Sequence, residues 1–184
     1  MQQVTTSRHS KLSVALAGAV GLAATHGAAQ TVEFETSAGS FAVEVDAGAA
    51  PVTASNFLAY VDANFYDGLV FHRVIPGFVV QGGGHTPDGM ERAANAPIKY
   101  EGDNGLDNDR GTIAMARTSD PDSATSQFYV NLVDNDFLNH SVTKPGYTVF
   151  GRVVEGMVTI DRIAELESGG SEGAVQILGA KRIE

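Results

Sequence analysis

Arg73 lies within a hydrophobic segment, residues 71–84 (FHRVIPGFVVQGGG). An arginine in such a strand is costly unless its guanidinium faces a cleft or a partner. A lone arginine of this kind more often extends to the surface, so its neighbours must decide between the two interpretations. A guanidinium stays charged and holds its donors in a rigid fork. Facing a cleft, it can stabilise a lone pair or charge that develops on a bound substrate.

Polar amides and aromatic or aliphatic side chains accompany this arginine. In residues 127–132 (QFYVNL), Gln127 and Tyr129 face the same side because side chains in a strand alternate with a period of two. Apolar walls with a few directed donors are typical of a shallow peptide or ligand site. The residues predicted to form that site with Arg73 are Phe78, Gln81, Gln127, Tyr129, Phe137, Leu138 and Tyr147.

Other chemistries have weaker support in the sequence. The chain has no cysteine, which excludes disulfides, thiolate metal sites and a cysteine nucleophile. His72, His85 and His140 do not share a short metal-ligand spacing, and we expect His72 to be a packed or hydrogen-bonded strand residue. The acidic residues in 103–109 lack the spacing of a calcium loop. We therefore predict a site with neither metal nor cofactor.

The elements that position these residues follow from hydrophobic periodicity. About eight short strands and two helices are predicted, without the alternation of strand and helix that a parallel sheet requires. Such a set favours a mainly β fold, a closed eight-stranded antiparallel barrel capped by two helices. The predicted strands are 31–36, 40–45, 71–75, 78–81, 112–117, 127–132, 147–153 and 175–183, with a further short strand at 98–101.

Bulky residues are predicted to fill the barrel. Pro51 opens the first helix, where its missing amide proton has no partner to lose, and the second helix covers residues 157–166. Large strand side chains argue against an interior that holds a small apolar ligand. The filling residues are Phe34, Phe71, Phe128, Val130 and Phe150.

Residues 1–29 differ from the rest of the chain. Arg8 and Lys11 precede a short apolar run that ends in small residues, Gly27 to Ala29. This pattern predicts a secretory signal peptide rather than a retained membrane anchor, with a single domain over residues 30–184 and a periplasmic or secreted location. The net charge of −10 disfavours nucleic acid and anionic membranes as partners.

Five ordered segments resemble the cyclophilins, a family of peptidyl-prolyl cis-trans isomerases, and most closely the bacterial exported kind. The resemblance runs from residue 31 to residue 183. It implies an eight-stranded barrel with two helices that acts without a cofactor. The segments are FHRVIPGFVVQGGG, GTIAMAR, SQFYVNL, DFLNH and YTVFGRVVEGM.

Several roles follow from this resemblance alone. Arg73 matches the catalytic arginine of the family, and Phe78 matches the aromatic floor of its proline pocket. Val79 stands where methionine is frequent. Leu138 and Tyr147 complete the pocket, although many eukaryotic members have histidine at the second position.

The remaining correspondences complete the predicted site. Gln81 and Gln127 match two glutamines of the family, and Tyr129 replaces the usual phenylalanine. Ala116 and Arg117 match the segment whose backbone pairs with a bound peptide.

The resemblance predicts an isomerase that accelerates rotation of X-Pro bonds in unfolded or secreted proteins, with proline-containing polypeptides as partners. We expect a monomer, free of the membrane after leader cleavage. Phe137 stands where eukaryotic members carry a tryptophan that helps hold cyclosporin, which predicts weak binding of that drug. The alternative is a secreted chaperone that binds proline segments and catalyses only incidentally.

Overall fold

The computed structural model describes residue 1, residues 30–168 and residues 174–183. The predicted signal peptide lies outside these ranges except for Met1. Within them, no helix has the length and apolar character needed to cross a bilayer. The strands are β1 Gln30–Thr36, β2 Gly39–Val45, β3 Arg73–Ile75, β4 Val79–Gly82, β5 Thr112–Met115, β6 Phe128–Asn131, β7 Val149–Glu155 and β8 Ile177–Ile183, and the helices are α1 Pro51–Asp62 and α2 Met157–Ser168.

One antiparallel sheet contains all of these strands, in the order β3-β4-β6-β5-β7-β2-β1-β8. Most predicted strands are confirmed, but many are shorter at one end. The predicted strand at 98–101 is wrong, because Ile98 forms only an isolated bridge to Ala124. The backbone amides of Tyr100 and Glu101 in this segment donate to side chains, Oδ1 of Asp122 (2.9 Å) and Oγ1 of Thr148 (3.3 Å).

The sheet curls into a half-barrel, so the predicted closed barrel is wrong in its closure. The sheet ends at β3 and β8, and these two strands form no ladder with each other. The segment preceding β3 contacts the start of β8: the amide of Phe71 donates to the carbonyl of Val175 (3.1 Å), and that of Ile177 donates to the carbonyl of Leu69 (2.8 Å). β3 itself, only three residues long, does not pair with β8.

Aromatic rings fill the concave side of the sheet, as the sequence predicted. Phe34 stacks on Phe41 at 4.9 Å and lies 5.5 Å from Phe128. Phe57 joins them from α1 and contacts Phe150 at 5.0 Å. These five rings are at most 2% exposed, so large side chains pack this interior.

A carboxylate from a distant loop holds the start of α1. Pro51 occupies the first turn, but the N-cap residue Ala50 has no side chain that could accept a hydrogen bond. Glu101 replaces that cap: its carboxylate accepts from the amides of Val52 (3.0 Å) and Thr53 (2.8 Å). The long loop that precedes β5 is thereby braced against the helix.

Candidate active site

A pocket of about 310 Å³ opens on the convex side of the sheet, away from the aromatic core. This volume is at the small end of ligand pockets, which range from roughly 300 to 1,000 Å³. Nine of the eleven residues predicted for the site line it. They are Arg73, Phe78, Val79, Gln81, Ala116, Arg117, Tyr129, Leu138 and Tyr147.

Adjacent strands place Arg73 on the wall of this pocket. In the β3–β4 pairing, Arg73 lies opposite Gln81, and in the β4–β6 pairing Gln81 lies opposite Tyr129. The three side chains therefore follow one another across the sheet on the same face. Arg73 is exposed rather than buried, and its guanidinium carbon lies 5.8 Å from the centre of the Phe78 ring.

Two glutamines hold that guanidinium in place. Nη1 of Arg73 donates to Oε1 of Gln81 (3.2 Å), and Nε2 of Gln81 donates to Oε1 of Gln127 (3.1 Å). Gln127 does not line the pocket; it lies beside it, and its Nε2 donates in turn to Oε1 of Glu91 (3.4 Å). Gly84 makes room for Gln127, because a Cβ atom on the glycine would lie 2.5 Å from Cγ of the glutamine.

Phe137 also lies outside the lining of the pocket. Its ring stacks on Phe78 with a centroid distance of 5.5 Å and an interplanar angle of 22°. Phe137 is 59% exposed, so it extends the apolar floor towards solvent. The short 3-10 turn Asp136–Leu138 carries it, and the next residue, Leu138, forms part of the pocket wall.

The hydroxyl of Tyr129 is held beneath the pocket. It donates to Oδ1 of Asn108 at 2.7 Å, and the tyrosine is 4% exposed. Burial raises the pKa of the Tyr129 phenol far above its usual value, so this hydroxyl stays protonated and acts as a donor. The Tyr129 ring meets the Tyr147 ring edge-on at 5.9 Å.

Arg117 covers the opposite side of the pocket. Its guanidinium lies 4.5 Å from the centre of the Tyr147 ring, within the range of a cation–π contact. The same group donates to the carbonyls of Pro145 (2.9 Å) and Gly146 (2.7 Å). These bonds anchor the guanidinium to the loop before β7, so the donors of Arg117 are occupied within the protein. The Arg73 guanidinium, in contrast, belongs to an exposed residue.

His72 and His85 pack against each other beside this site, with ring centroids 4.1 Å apart. The Nδ1 atom of each ring is buried and has no hydrogen-bond partner among the described residues. Burial, followed by the nearby charge of His85, lowers the pKa of His72. Among the described residues, no three histidine, aspartate or glutamate side chains are grouped to hold a metal ion.

The sequence did not indicate the buried amides beneath the pocket, because they come from distant parts of the chain. Asn108 belongs to the irregular loop before β5, where no periodicity indicates burial. Asn131 offers the only signal, a polar amide within the apolar strand β6. Asn108 is 1% exposed and Asn131 is not exposed at all.

The fold and the site together form an antiparallel half-barrel with an apolar pocket that has an arginine on its wall. The sequence model described as cyclophilin type peptidyl-prolyl cis-trans isomerase matches residues 31–182. The chain belongs to this family, and it is an enzyme of the isomerase class.

Curated relatives agree with this assignment. A peptidyl-prolyl cis-trans isomerase of Streptomyces antibioticus is 53% identical over 146 residues, which cover 78% of this chain and 88% of the relative. Peptidyl-prolyl cis-trans isomerase B of Escherichia coli is 48% identical over 143 residues, which cover 76% and 87%. These names favour the isomerase over the chaperone alternative.

The fold agrees with solved structures as well. The cyclophilin type isomerase of Cryptosporidium parvum, crystallised in the presence of the dipeptide Ala-Pro, superposes with a TM-score of 0.70 at 26% identity. The match covers 84% of this chain and 99% of that one.

Proposed function

We propose that this peptidyl-prolyl cis-trans isomerase accelerates X-Pro rotation through the guanidinium of Arg73, held over a pocket that receives the proline ring. The observation that carries the proposal is the placement of that guanidinium 5.8 Å above the Phe78 ring, with Gln81 as its hydrogen-bond partner. A charged donor thereby stands at the edge of an apolar hollow.

The chemistry requires no proton transfer and no covalent intermediate. A peptide bond resists rotation because the nitrogen lone pair is delocalised into the carbonyl, which gives a barrier of about 18–20 kcal/mol. At the twisted transition state, the proline nitrogen regains that lone pair and can accept a hydrogen bond. A guanidinium that donates to this nitrogen stabilises the twisted form more than either planar isomer, which lowers the barrier.

The remaining pocket residues would orient the substrate. In this proposal the proline ring rests against Phe78, Tyr129 and Leu138, and the chain before it runs along Ala116 and Arg117. Their positions around one pocket support this arrangement. The carbonyl before the proline can then swing past the ring while the ring itself stays in place.

The decisive experiment compares the wild type with Arg73→Ala in a cis-to-trans proline-peptide assay. We expect kcat/KM to fall by roughly 10²–10³-fold, the usual loss when one preorganised electrostatic donor is removed. Because Arg73 is exposed, the variant should unfold at nearly the same urea concentration as the wild type. An unchanged rate in a folded variant would overturn the proposal.

We further propose that residues 1–29 direct export and that residues 30–184 act in the periplasm or outside the cell on unfolded or secreted proteins. The basic, apolar and small-residue order of this segment supports the proposal. N-terminal sequencing of protein from the exported fraction of a bacterial host should begin at Gln30. A cell-retained chain beginning at Met1 would contradict it.

We also propose that the protein binds cyclosporin weakly and that it is a monomer. Phe137 offers a smaller ring than tryptophan, and much of that ring is exposed. Titration of the isomerase with cyclosporin should therefore give weaker inhibition of the wild type than of Phe137→Trp. Sedimentation should give the mass of one chain.

A further inference from the structure

Four asparagine side chains form a hydrogen-bonded network beneath the pocket. They are Asn108, Asn131, Asn135 and Asn139, and the first three are 1%, 0% and 3% exposed. Buried amides are costly unless they are hydrogen-bonded, and a fully bonded network holds its surroundings in one arrangement. We call this set the asparagine network.

Asn108 is the centre of the network. Its Oδ1 accepts from the hydroxyl of Tyr129 (2.7 Å) and from Nδ2 of Asn131 (3.3 Å). Its Nδ2 and its backbone amide both donate to Oδ1 of Asn139, at 3.0 and 2.7 Å. Its carbonyl accepts from the amide of Asn135 (2.8 Å).

These partners belong to two different walls of the pocket. Tyr129 is on β6 and forms part of the floor, whereas Asn135 and Asn139 flank the turn that carries Leu138. The side chain of Asn135 also donates to the carbonyl of Phe78 at 3.2 Å. Asn108 therefore connects Tyr129 in the floor to the turn that carries Leu138.

We propose that Asn108 is a positioning residue that sets the spacing between Tyr129 and Leu138, and thereby fits the pocket to a five-membered ring. This inference rests on the proposed function, because it takes proline as the occupant. Hydrogen bonds to Asn108 hold Tyr129 and the Leu138 turn in place, so these walls resist the shift that a larger substrate ring would require. Asn108 itself touches no substrate and acts only through Tyr129 and the Leu138 turn.

The test measures ring-size discrimination. A peptide whose proline is replaced by pipecolic acid carries one extra methylene in the ring, and a fitted apolar pocket discriminates such a change by roughly 10–200-fold. For Asn108→Ala we expect kcat/KM for the prolyl peptide to fall, mainly through KM. The pipecolyl-to-prolyl ratio of kcat/KM should rise about threefold or more.

Two further variants keep the test decisive. Tyr129→Phe removes one oxygen and should raise the same ratio by a smaller factor, and it carries the test if Asn108→Ala fails to fold. Thr159→Ala is the matched control, since Thr159 is a buried residue of α2 whose hydroxyl donates to Ser40 (2.8 Å), in elements that do not line the pocket. Its ratio should stay at the wild-type value.

The affinity of prolyl and pipecolyl dipeptides, measured by NMR titration, separates this inference from the proposed function. A wild type without isomerase activity would overturn the Arg73 proposal while leaving the affinity ratio readable. An unchanged ratio in folded Asn108→Ala and Tyr129→Phe would overturn the role of Asn108. An equal rise in Thr159→Ala would also overturn it, because general loosening would then explain the effect.

Discussion

Gln81 occupies the middle of the bonds that orient Arg73, so its amide should matter for turnover without being essential. Its Oε1 holds the guanidinium and its Nε2 is itself held by Gln127. In Gln81→Ala, Arg73 keeps its charge but loses its fixed direction. We expect kcat/KM in the proline-peptide assay to fall by roughly tenfold, which corresponds to about 1.4 kcal/mol.

Gln127→Ala is the matched control for this prediction. It removes only the outer support, so the loss should be smaller than for Gln81→Ala. A loss in Gln81→Ala as large as in Arg73→Ala would contradict a supporting role for Gln81. Full activity would show that Arg73 needs no support.

His72 makes the free energy of unfolding depend on pH. Its pKa is lowered from 6.5 by burial first and then by the charge of His85, with a further contribution from Arg73. Below pH 6.5 the unfolded chain therefore binds a proton more readily than the folded chain does. The stability from this group is complete above that pH and declines as the pH falls through the lower folded pKa.

His85→Phe tests this sign, because it removes the second cause of the lowered pKa and leaves burial in place. Urea unfolding at pH 7 and pH 5 should show a smaller loss of stability for the variant than for the wild type. Other groups titrate over this range, so the difference between the two proteins is the informative quantity. Equal losses would contradict the contribution of the histidine pair.

At the scale of single residues, the sequence predicted some positions and missed others. Arg73 could be singled out because a charged residue within an apolar segment needs a cleft. Asn108 could not, because its partners lie 21 to 31 positions away in the sequence. The direction of the Tyr129 hydroxyl could not be predicted for the same reason, because its acceptor on Asn108 comes from a distant part of the chain.

At the scale of elements, the first helix depends on a carboxylate outside itself. Glu101 accepts hydrogen bonds from the amides of Val52 and Thr53 and from the hydroxyl of Thr53 (2.8 Å). Glu101→Ala leaves these donors without that acceptor, next to the positive end of the helix. We expect a loss of about 1–2 kcal/mol in the free energy of unfolding, the range for removing an N-cap.

Chemical denaturation measures this loss, and Glu35→Ala provides the control. Glu35 is an exposed carboxylate on β1, so its removal should change stability by less than about 0.5 kcal/mol, the limit for surface substitutions. The activity of Glu101→Ala should equal that of the wild type below its unfolding transition. A stability equal to that of Glu35→Ala would show that the helix does not need this cap.

Strand periodicity predicted the existence of the elements better than their ends. Residues 78–81 shift to β4 Val79–Gly82 and residues 147–153 shift to β7 Val149–Glu155. The hydrophobic pattern begins before the first paired residue of each strand, because Phe78 and Tyr147 line the pocket. Pattern alone cannot separate a residue that packs in a sheet from one that lines a site beside it.

At the scale of the whole molecule, the two faces of the sheet serve different purposes. The concave face buries the large aromatic core around Phe34 and Phe57. A second, smaller apolar cluster lies under the pocket and includes Val79, Tyr129 and Leu138. The sequence predicted a filled interior, but the open edge between β3 and β8 depends on contacts between distant segments that no local pattern encodes.

This division predicts that stability and substrate binding can be altered separately. Phe34→Ala removes a ring that contacts Phe41, Phe57, Tyr66 and Phe128, and should lower the free energy of unfolding by about 3–5 kcal/mol. Because Phe34 does not line the pocket, kcat/KM at a temperature where the variant remains folded should equal the wild-type value.

Leu138→Ala is the converse change. Leu138 is 9% exposed and lies in the small cluster, so the loss in unfolding free energy should be near the low end for leucine, about 2 kcal/mol. Its removal opens one wall of the pocket that is proposed to receive proline, which should raise KM several-fold with a smaller effect on kcat. The two variants are compared by urea unfolding and by steady-state kinetics on the same peptide. A Phe34→Ala protein that is folded but has a raised KM would show that the core and the pocket are coupled, and would contradict their separation by the sheet.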